Sequence, residues 1–329
     1  MMRGYNAHIC NRIKKTGIPI ALAAVCIFSM TGCGNSVPDL KDAISKTVSY
    51  ELKTVTDPSV GSLGGEWTIM ALARSDEDVD SNYFEKYRAE VEKYVKEQKG
   101  ILSENKYTEY SRVILALRSI GVDSADIGGY NLDKNLEDFD TVTAQGLNGA
   151  VFALLALNAD GENTESEISR KYLEYILQQE KKDGGFSMDD NSDEGDVDIT
   201  AMVLQCLEPY QKEEAAKNAI DKGISFLADE QDQDGGYTAY DEKSSESVSQ
   251  TIIALSSVGI DCNEDKRFQK DGKGLYDALM EYYQKDGSFA HTSDDKSNLM
   301  ATDQALCAMV SCERFQDGKN TFYNMTDHR

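Results

Sequence analysis

The chain has 329 residues, of which 40% are hydrophobic, and 34 basic against 58 acidic side chains give it a formal net charge of −24. This hydrophobic content suffices for a sizeable core, which excludes an intrinsically disordered chain. A body this acidic repels phosphate backbones, so we expect no nucleic-acid partner.

Residues 1–32 are predicted to be a secretory signal. A basic region at residues 12–15 precedes an apolar run at 18–28, which is too short for a transmembrane helix. The run leads to Gly32-Cys33, which resembles a bacterial lipobox, where the cysteine is acylated and becomes the mature N-terminus. We therefore expect Cys33 to anchor the protein by a lipid on the extracytoplasmic face of the cell membrane. The alternative is an ordinary signal with an incidental cysteine.

Four cysteines remain in the body of the chain after Cys33. They are Cys206, Cys262, Cys307 and Cys312. None forms a Cys-x-x-Cys pair, and three lie in apolar helical stretches. This pattern predicts core thiols and no disulfide framework.

A repeated turn punctuates the second half of the chain. Amphipathic helices stop at Asp-Gly and continue through Gly or Ser to an aromatic residue, at 183–186, 234–237 and 286–289. Glycine supplies the positive φ angle that such a helix stop needs. A turn that recurs with its flanking helices indicates a repeat architecture.

Six short segments are apolar on nearly all sides and are therefore predicted to be buried helices. They contain residues 67–72, 111–117, 150–157, 200–207, 251–255 and 302–309. Aligned on Leu72, Leu117, Leu157, Leu207, Leu255 and Met309, they are 45, 40, 50, 48 and 54 residues apart. Amphipathic helices are predicted between them, at about 81–97, 166–179, 213–229 and 273–283, each with one apolar stripe.

This alternation of outer and inner helices is compatible with an open solenoid or with a closed (α/α)6 toroid, an all-α fold. The uniform apolarity of the six inner helices favours closure. The predicted domains are a lipidated N-terminus and tether at 33–57, which can include a first helix, the toroid at 58–315 and a C-terminal tail at 316–329.

Two segments resemble motifs of a known superfamily. Residues 222–237 resemble the Gln-Trp repeat of squalene and oxidosqualene cyclases, with Tyr237 where Trp is usual, and 284–289 match its core spacing. Residues 196–201 resemble the acid motif of these cyclases. Over residues 60–315 the chain resembles secreted Gram-positive lipoproteins of the prenyltransferase-like toroid group. Protein prenyltransferases and cobalamin carriers share the implied fold, which by itself does not imply a function.

The resemblance to cyclases implies that Asp198, supported by Asp196, would be the acid that protonates an alkene or epoxide. Ile199 replaces the next Asp of the motif, and the chain has one Trp to stabilise carbocations. Helix N-capping explains both carboxylates equally well and is favoured. The cyclase is therefore kept as the alternative, and an enzyme is not the favoured interpretation.

Metal and cofactor chemistry is not expected. The resemblance to prenyltransferases implies zinc, but Asp261, Cys262 and His291 are predicted at opposite rims of the ring. The acidic loop at 189–196 loosely resembles a calcium loop, although it lacks the glutamate at the twelfth position. It is interpreted as a solvated loop, and adventitious calcium is left open.

The favoured interpretation is a binding protein whose site lies at the mouth formed by the inner-helix N-termini. Such a mouth offers the amides, hydroxyls and aromatic groups of a small-molecule pocket, although caps use the same residue types. The candidate ligand-binding residues are Trp67, Tyr110, Asn148, Asp198, Thr200, Gln250 and Asp303. The expected partner is a small molecule, a corrinoid or an isoprenoid among them, or a protein of the envelope. A purely structural envelope role is the third hypothesis.

Overall fold

The computed structural model describes residues 37–239 and 242–328, which fold into a helical body. Its helices are α1 (Leu40–Thr54), α2 (Glu66–Arg74), α3 (Ser81–Glu97), α4 (Thr108–Ser119), α5 (Phe139–Thr143), α6 (Leu147–Asn158), α7 (Glu167–Leu177), α8 (Val197–Leu207), α9 (Glu214–Glu230), α10 (Ser245–Ser257), α11 (Leu275–Met280) and α12 (Leu299–Gln316). Three 3-10 turns lie at 133–137, 208–210 and 326–328. The strands β1 (Thr238–Ala239) and β2 (Glu242–Lys243) pair antiparallel, with Thr238 opposite Lys243.

The even-numbered helices form a closed ring. Each contacts the next one along the chain, from α2 to α12, and α12 contacts α2. This closure confirms the predicted (α/α)6 toroid and excludes the open solenoid. The six predicted apolar segments are these inner helices, and the four predicted amphipathic segments correspond to α3, α7, α9 and α11.

Burial follows the sequence pattern in each layer. The inner helix α6 buries eleven of its twelve residues. The outer helix α7 buries four of its eleven, Ser169, Tyr172, Leu173 and Ile176, which form one stripe. An inner helix is therefore buried on nearly all sides, whereas an outer helix is buried on one face.

The helix α1 lies within the segment predicted to be a tether. It packs against α12 and buries Ala43, Ile44 and Val48, which makes it the first outer helix of the toroid. Asp39 caps it by accepting a hydrogen bond from the backbone N–H of Lys41 at 3.1 Å. The folded body thus extends beyond the predicted 58–315. The sequence shows the apolar residues of α1, but only the tertiary structure shows that they pack against α12.

The segment after α12 also belongs to the folded body, although it was predicted to be a tail. Phe322, Tyr323 and Met325 are buried. The backbone N–H of Met325 donates to the carbonyl oxygen of Ala159 at 2.7 Å. The C-terminal segment therefore crosses from α12 to the C-terminal end of α6.

The four cysteines predicted to be core thiols are buried and free. The predicted signal and Cys33 lie outside the described residues. Within the described part of the chain, no helix combines the length and apolarity needed to cross a bilayer.

Candidate functional site

One tier of side chains lines the inside of the ring at equivalent positions of the six inner helices. The repeat spacings that align the helices also align Trp67, Arg112, Phe152, Met202, Gln250 and Gln304. The rings of Trp67 and Phe152 meet edge to face with centroids 6.0 Å apart. Since α4 separates α2 from α6 in the ring, this contact crosses its interior.

On the other side of the ring from Trp67 and Phe152, glutamine side chains form a chain of hydrogen bonds. Gln205 donates through Nε2 to Gln250 Oε1 at 2.9 Å, and Gln250 Nε2 donates to Gln304 Oε1 at 2.5 Å. All three side chains are buried. The predicted ligand residue Gln250 is therefore the middle member of a network that joins α8, α10 and α12.

One turn nearer the N-termini, a second tier forms the mouth of the ring. Asn148, Asp198, Glu246 and Met300 are each the second residue of their helix and are all partly exposed. Asn148 Oδ1 and Asp198 Oδ1 are buried oxygens that have no hydrogen-bond partner. They lie on the neighbouring helices α6 and α8. Buried acceptors without donors are costly.

Asp198 is the titratable group of the mouth with the clearest perturbation. Burial raises its pKa to about 6, and the nearby charges of Asp196 and Glu246 add to this, while the neighbouring polar side chain of Ser247 opposes it. Desolvation disfavours the charged form of a carboxyl group. Asp198 therefore exchanges its proton close to neutral pH.

The two acidic residues of the cyclase-like motif have different environments. Asp196 is the N-cap of α8 and accepts a hydrogen bond from the backbone N–H of Ile199 at 2.9 Å. Asp198 makes no capping contact of this kind. The capping interpretation thus describes Asp196, whereas Asp198 faces the mouth tier.

A tight turn pair positions the start of α8. The backbone of Asp196 pairs with Phe186, and the Cα atoms of Gly185 and Gly195 approach so closely that a Cβ on Gly195 would lie 2.7 Å from the Gly185 Cα. Thr200 accepts a hydrogen bond at Oγ1 from the backbone N–H of Phe186 at 2.8 Å. The hydroxyl of Thr200, a predicted ligand residue, therefore holds this turn.

Tyr110 and Asp303 are likewise engaged away from the mouth. The hydroxyl of Tyr110 accepts from the backbone N–H of Leu102 at 3.0 Å and donates to the carbonyl of Ser103 at 3.2 Å. Asp303 is fully buried and accepts a hydrogen bond from Thr68 at 2.7 Å. The other four predicted residues lie on the two tiers described above, Trp67 and Gln250 on the inner tier and Asn148 and Asp198 on the mouth tier.

A histidine–glutamate pair at the mouth escaped the sequence analysis. His291 Nδ1 lies 2.8 Å from Glu246 Oε2, and His291 Nε2 lies 3.5 Å from Glu242. The hydrogen bonds and charges of these glutamates raise the pKa of His291 against the opposing effect of burial. Glu246 stands 48 residues after Asp198, which is the repeat spacing, so the alignment contained the signal for it.

The residues weighed as zinc ligands have other partners in the structure. Cys262 is buried with its Sγ 3.9 Å from Cys312, while His291 contacts glutamates. Among the described residues, the one group of three clustered metal-binding side chains is Asp76, Glu313 and Asp317. Lys319 pairs with both aspartates there, so a protein cation already compensates this group.

The comparisons with known proteins concern the fold. Residues 94–271 and 248–326 match the prenyltransferase alpha-alpha toroid domain. An unsaturated glucuronyl hydrolase from Bacillus sp. GL1, responsible for the degradation of glycosaminoglycan, is similar at TM-score 0.57 with 14% identity, over 86% of this chain and 97% of that one. A polysaccharide lyase is similar at TM-score 0.57 with 12% identity, over 84% and 97%. A type II terpene cyclase from Scytonema is similar at TM-score 0.56 with 10% identity, over 84% and 99%. The search of curated proteins finds no match.

Proposed function

The chain belongs to the prenyltransferase α/α-toroid family, and from this premise we propose that it binds a small polyhydroxylated molecule at the mouth formed by the inner-helix N-termini. The observation that carries the proposal is the pair of partnerless oxygens, Asn148 Oδ1 and Asp198 Oδ1, at equivalent positions on neighbouring helices. Hydroxyl groups are the simplest donors that satisfy two such acceptors.

The tier below the mouth suits the same ligand class. Trp67 and Phe152 pack edge to face in the tier below Asn148, and the face of a sugar ring packs well on aromatic side chains. An isoprenoid lacks the donors that the mouth calls for. The names of two similar structures, a glucuronyl hydrolase and a polysaccharide lyase, support testing carbohydrates first. A corrinoid carries amide donors and is the second ligand to test.

Titration calorimetry with neutral and uronic-acid oligosaccharides tests this proposal, with a corrinoid as comparison. We expect Asp198→Asn to weaken binding at least tenfold, because an amide presents one acceptor oxygen where the carboxylate has two and adds a donor. Asp196→Asn is the matched control, since Asn caps a helix as well as Asp does and leaves binding unchanged. Equal binding by both variants contradicts the proposal, as does a wild-type chain that binds no oligosaccharide.

A second function rests on a different observation, the raised pKa of Asp198. A carboxyl group with a pKa of about 6 is protonated at mildly acidic pH, where it can protonate an alkene, as the cyclase-like motif implies. The half-apolar tier with Trp67, Phe152 and Met202 would then face the isoprenoid. Incubation with polyprenyl substrates tests this: a cyclised product that depends on Asp198 establishes the enzyme and replaces the binding role.

We further propose that acylated Cys33 holds the toroid at the extracytoplasmic face of the membrane. The proposal is supported by the order of basic region, apolar run and Gly32-Cys33 in the sequence. Metabolic labelling with a fatty acid checks it in a bacterial host. Label on the wild type and none on Cys33→Ala is expected, whereas an unlabelled wild type overturns it. A partner protein of the envelope would dock on the same exposed mouth, and cross-linking from the membrane fraction would identify it.

A further inference from the structure

A separate cavity lies at the end of the ring opposite the mouth. It has a volume of about 160 Å³, is partly open to solvent and is lined by the C-terminal ends of α6 and α8 together with the C-terminal segment. Leu155, Cys206, Glu208 and Tyr323 are among the residues that line it. A cavity of about this size is known to hold a benzene molecule, so the space suits a ligand of roughly six non-hydrogen atoms.

The charge around this cavity is negative and uncompensated. Glu208 follows directly after α8, and burial alone raises the pKa of its carboxyl group. Within residues 37–239 and 242–328, no basic side chain forms an ion pair with Glu208, and no Lys or Arg lines the cavity. A partly buried carboxylate gains from any cation that reaches it.

The C-terminal ends of two helices also contribute negative electrostatic potential to the cavity. Asn158, the last residue of α6, lines the cavity, and so does Cys206 in the last turn of α8. The C-terminus of a helix carries a partial negative charge, which favours cations.

A buried amide contributes a further acceptor. Gln205 lines the cavity, is 2% exposed and uses its Nε2 in the bond to Gln250. Its Oε1 has no hydrogen-bond partner. The amide cannot be reversed without losing the bond to Gln250, so this acceptor is a fixed property of the site.

The wall contributed by the C-terminal segment is fixed in place. Arg74 is fully buried and donates to the carbonyl oxygens of Thr321, Phe322 and Asn324 at 2.9 to 3.0 Å. Thr321 and Asn324 both line the cavity. The site is therefore already formed before any ligand arrives, which lowers the entropic cost of binding.

We propose that this cavity binds a small primary ammonium ion, with its N–H groups directed to Glu208 and to Gln205 Oε1 and its alkyl part against Leu155 and Tyr323. The geometry combines a small volume, a carboxylate without a cationic partner and a partnerless buried amide oxygen. This second site does not depend on the function proposed for the mouth.

Three probes of similar size test whether the cavity prefers a cationic ligand. The protein used is the full chain in detergent. They are n-butylammonium, 1-butanol and butyrate, and binding is measured by calorimetry and by the shift in melting temperature. We expect saturable binding of n-butylammonium that is at least tenfold tighter than that of 1-butanol, and none of butyrate. Equal binding of the amine and the alcohol overturns the proposal, and so does the absence of saturable amine binding.

Two variants localise the effect. Glu208→Gln keeps the side-chain shape, removes the charge and is expected to weaken n-butylammonium binding at least tenfold without affecting 1-butanol. Glu213→Gln is the control, because Glu213 is paired with Arg170 away from the cavity and should leave amine affinity unchanged. Loss of amine binding in both variants, or in neither, contradicts the assignment. An intermolecular nuclear Overhauser effect between the probe and Leu155 gives a readout that requires no variant.

Discussion

Thr68 donates a hydrogen bond of 2.7 Å to Asp303 and joins the first inner helix of the ring to the last. Both side chains are fully buried. The carboxyl group of Asp303 also acts electrostatically on Glu51 of α1, so three helices meet around one buried carboxyl pair. The seam at which the toroid closes is therefore polar, although the rest of the inner ring is mostly apolar.

Loss of the Thr68 hydroxyl should weaken this seam. Thr68→Val keeps the shape but leaves Asp303 without its donor, and a buried group without a partner costs about 1–3 kcal/mol. Urea denaturation measures the change in the free energy of unfolding. Thr68→Ser retains the hydroxyl and should lose less, and equal losses in the two variants would contradict a role for the hydrogen bond.

The stability of the toroid should fall as pH rises, because of Glu51. Burial, with a contribution from Asp303, raises the pKa of Glu51 from 4.5 to about 9. The folded chain therefore keeps a proton that the unfolded chain releases, so this contribution is complete at acid pH and is lost as pH rises toward about 9. Denaturation at pH 5, 7 and 9 should show a flatter profile for Glu51→Gln than for the wild type. Parallel profiles would refute the assignment.

The pH dependence of the mouth separates its two proposed functions. The pKa of Asp198 is raised to about 6. A hydroxyl donor binds the carboxylate, so ligand affinity should increase as pH rises through about 6 and then level off. An acid that protonates an alkene needs the neutral carboxyl group, so cyclase activity should fall over the same range. Calorimetry and product assays between pH 5 and 8 decide, with Asp198→Asn as the variant that lacks either profile.

Arg74 should be required for the packing of the C-terminal segment. Its guanidinium group donates to three carbonyl oxygens and pairs with Asp327 at 2.6 Å, a geometry that the point charge of lysine cannot reproduce. We expect Arg74→Lys to destabilise the fold by about 2–4 kcal/mol and to speed proteolysis after residue 316. Lys319→Ala, which removes an exposed pair, should cost under about 1 kcal/mol. A protease-resistant Arg74→Lys segment would disprove this role.

A substituent at Gly195 should disturb the mouth from a distance. A Cβ there would lie 2.7 Å from the Gly185 Cα, and the backbone would have to separate the pair that positions α8. Gly195→Ala is expected to cost about 1–3 kcal/mol and to weaken ligand binding through Asp198. Gly236→Ala is the matched control, since a Cβ there meets no atom nearer than 3.5 Å. Similar melting temperatures for the two variants would argue against a rigid turn.

The assignment of helices to the inner or outer layer could be predicted because it depends on the local periodicity of apolar residues. Six segments apolar on all sides and four with a single stripe gave the inner and outer helices, and the repeat spacing placed Gln250 and Asp198 at the inside of the ring. A side chain's exposure on a helix depends on residues three and four positions away, which the sequence displays directly.

The tertiary structure alone decided which polar groups are free. Tyr110, Thr200 and Asp303 have the residue types of a ligand site, yet each is engaged in a structural hydrogen bond, and α1 and the C-terminal segment belong to the body rather than to flexible ends. The partners of Asp303 lie as far as 235 residues away in the chain. Hydrogen-bond satisfaction depends on such long-range pairing, whereas sequence patterns report only on neighbours along a helix.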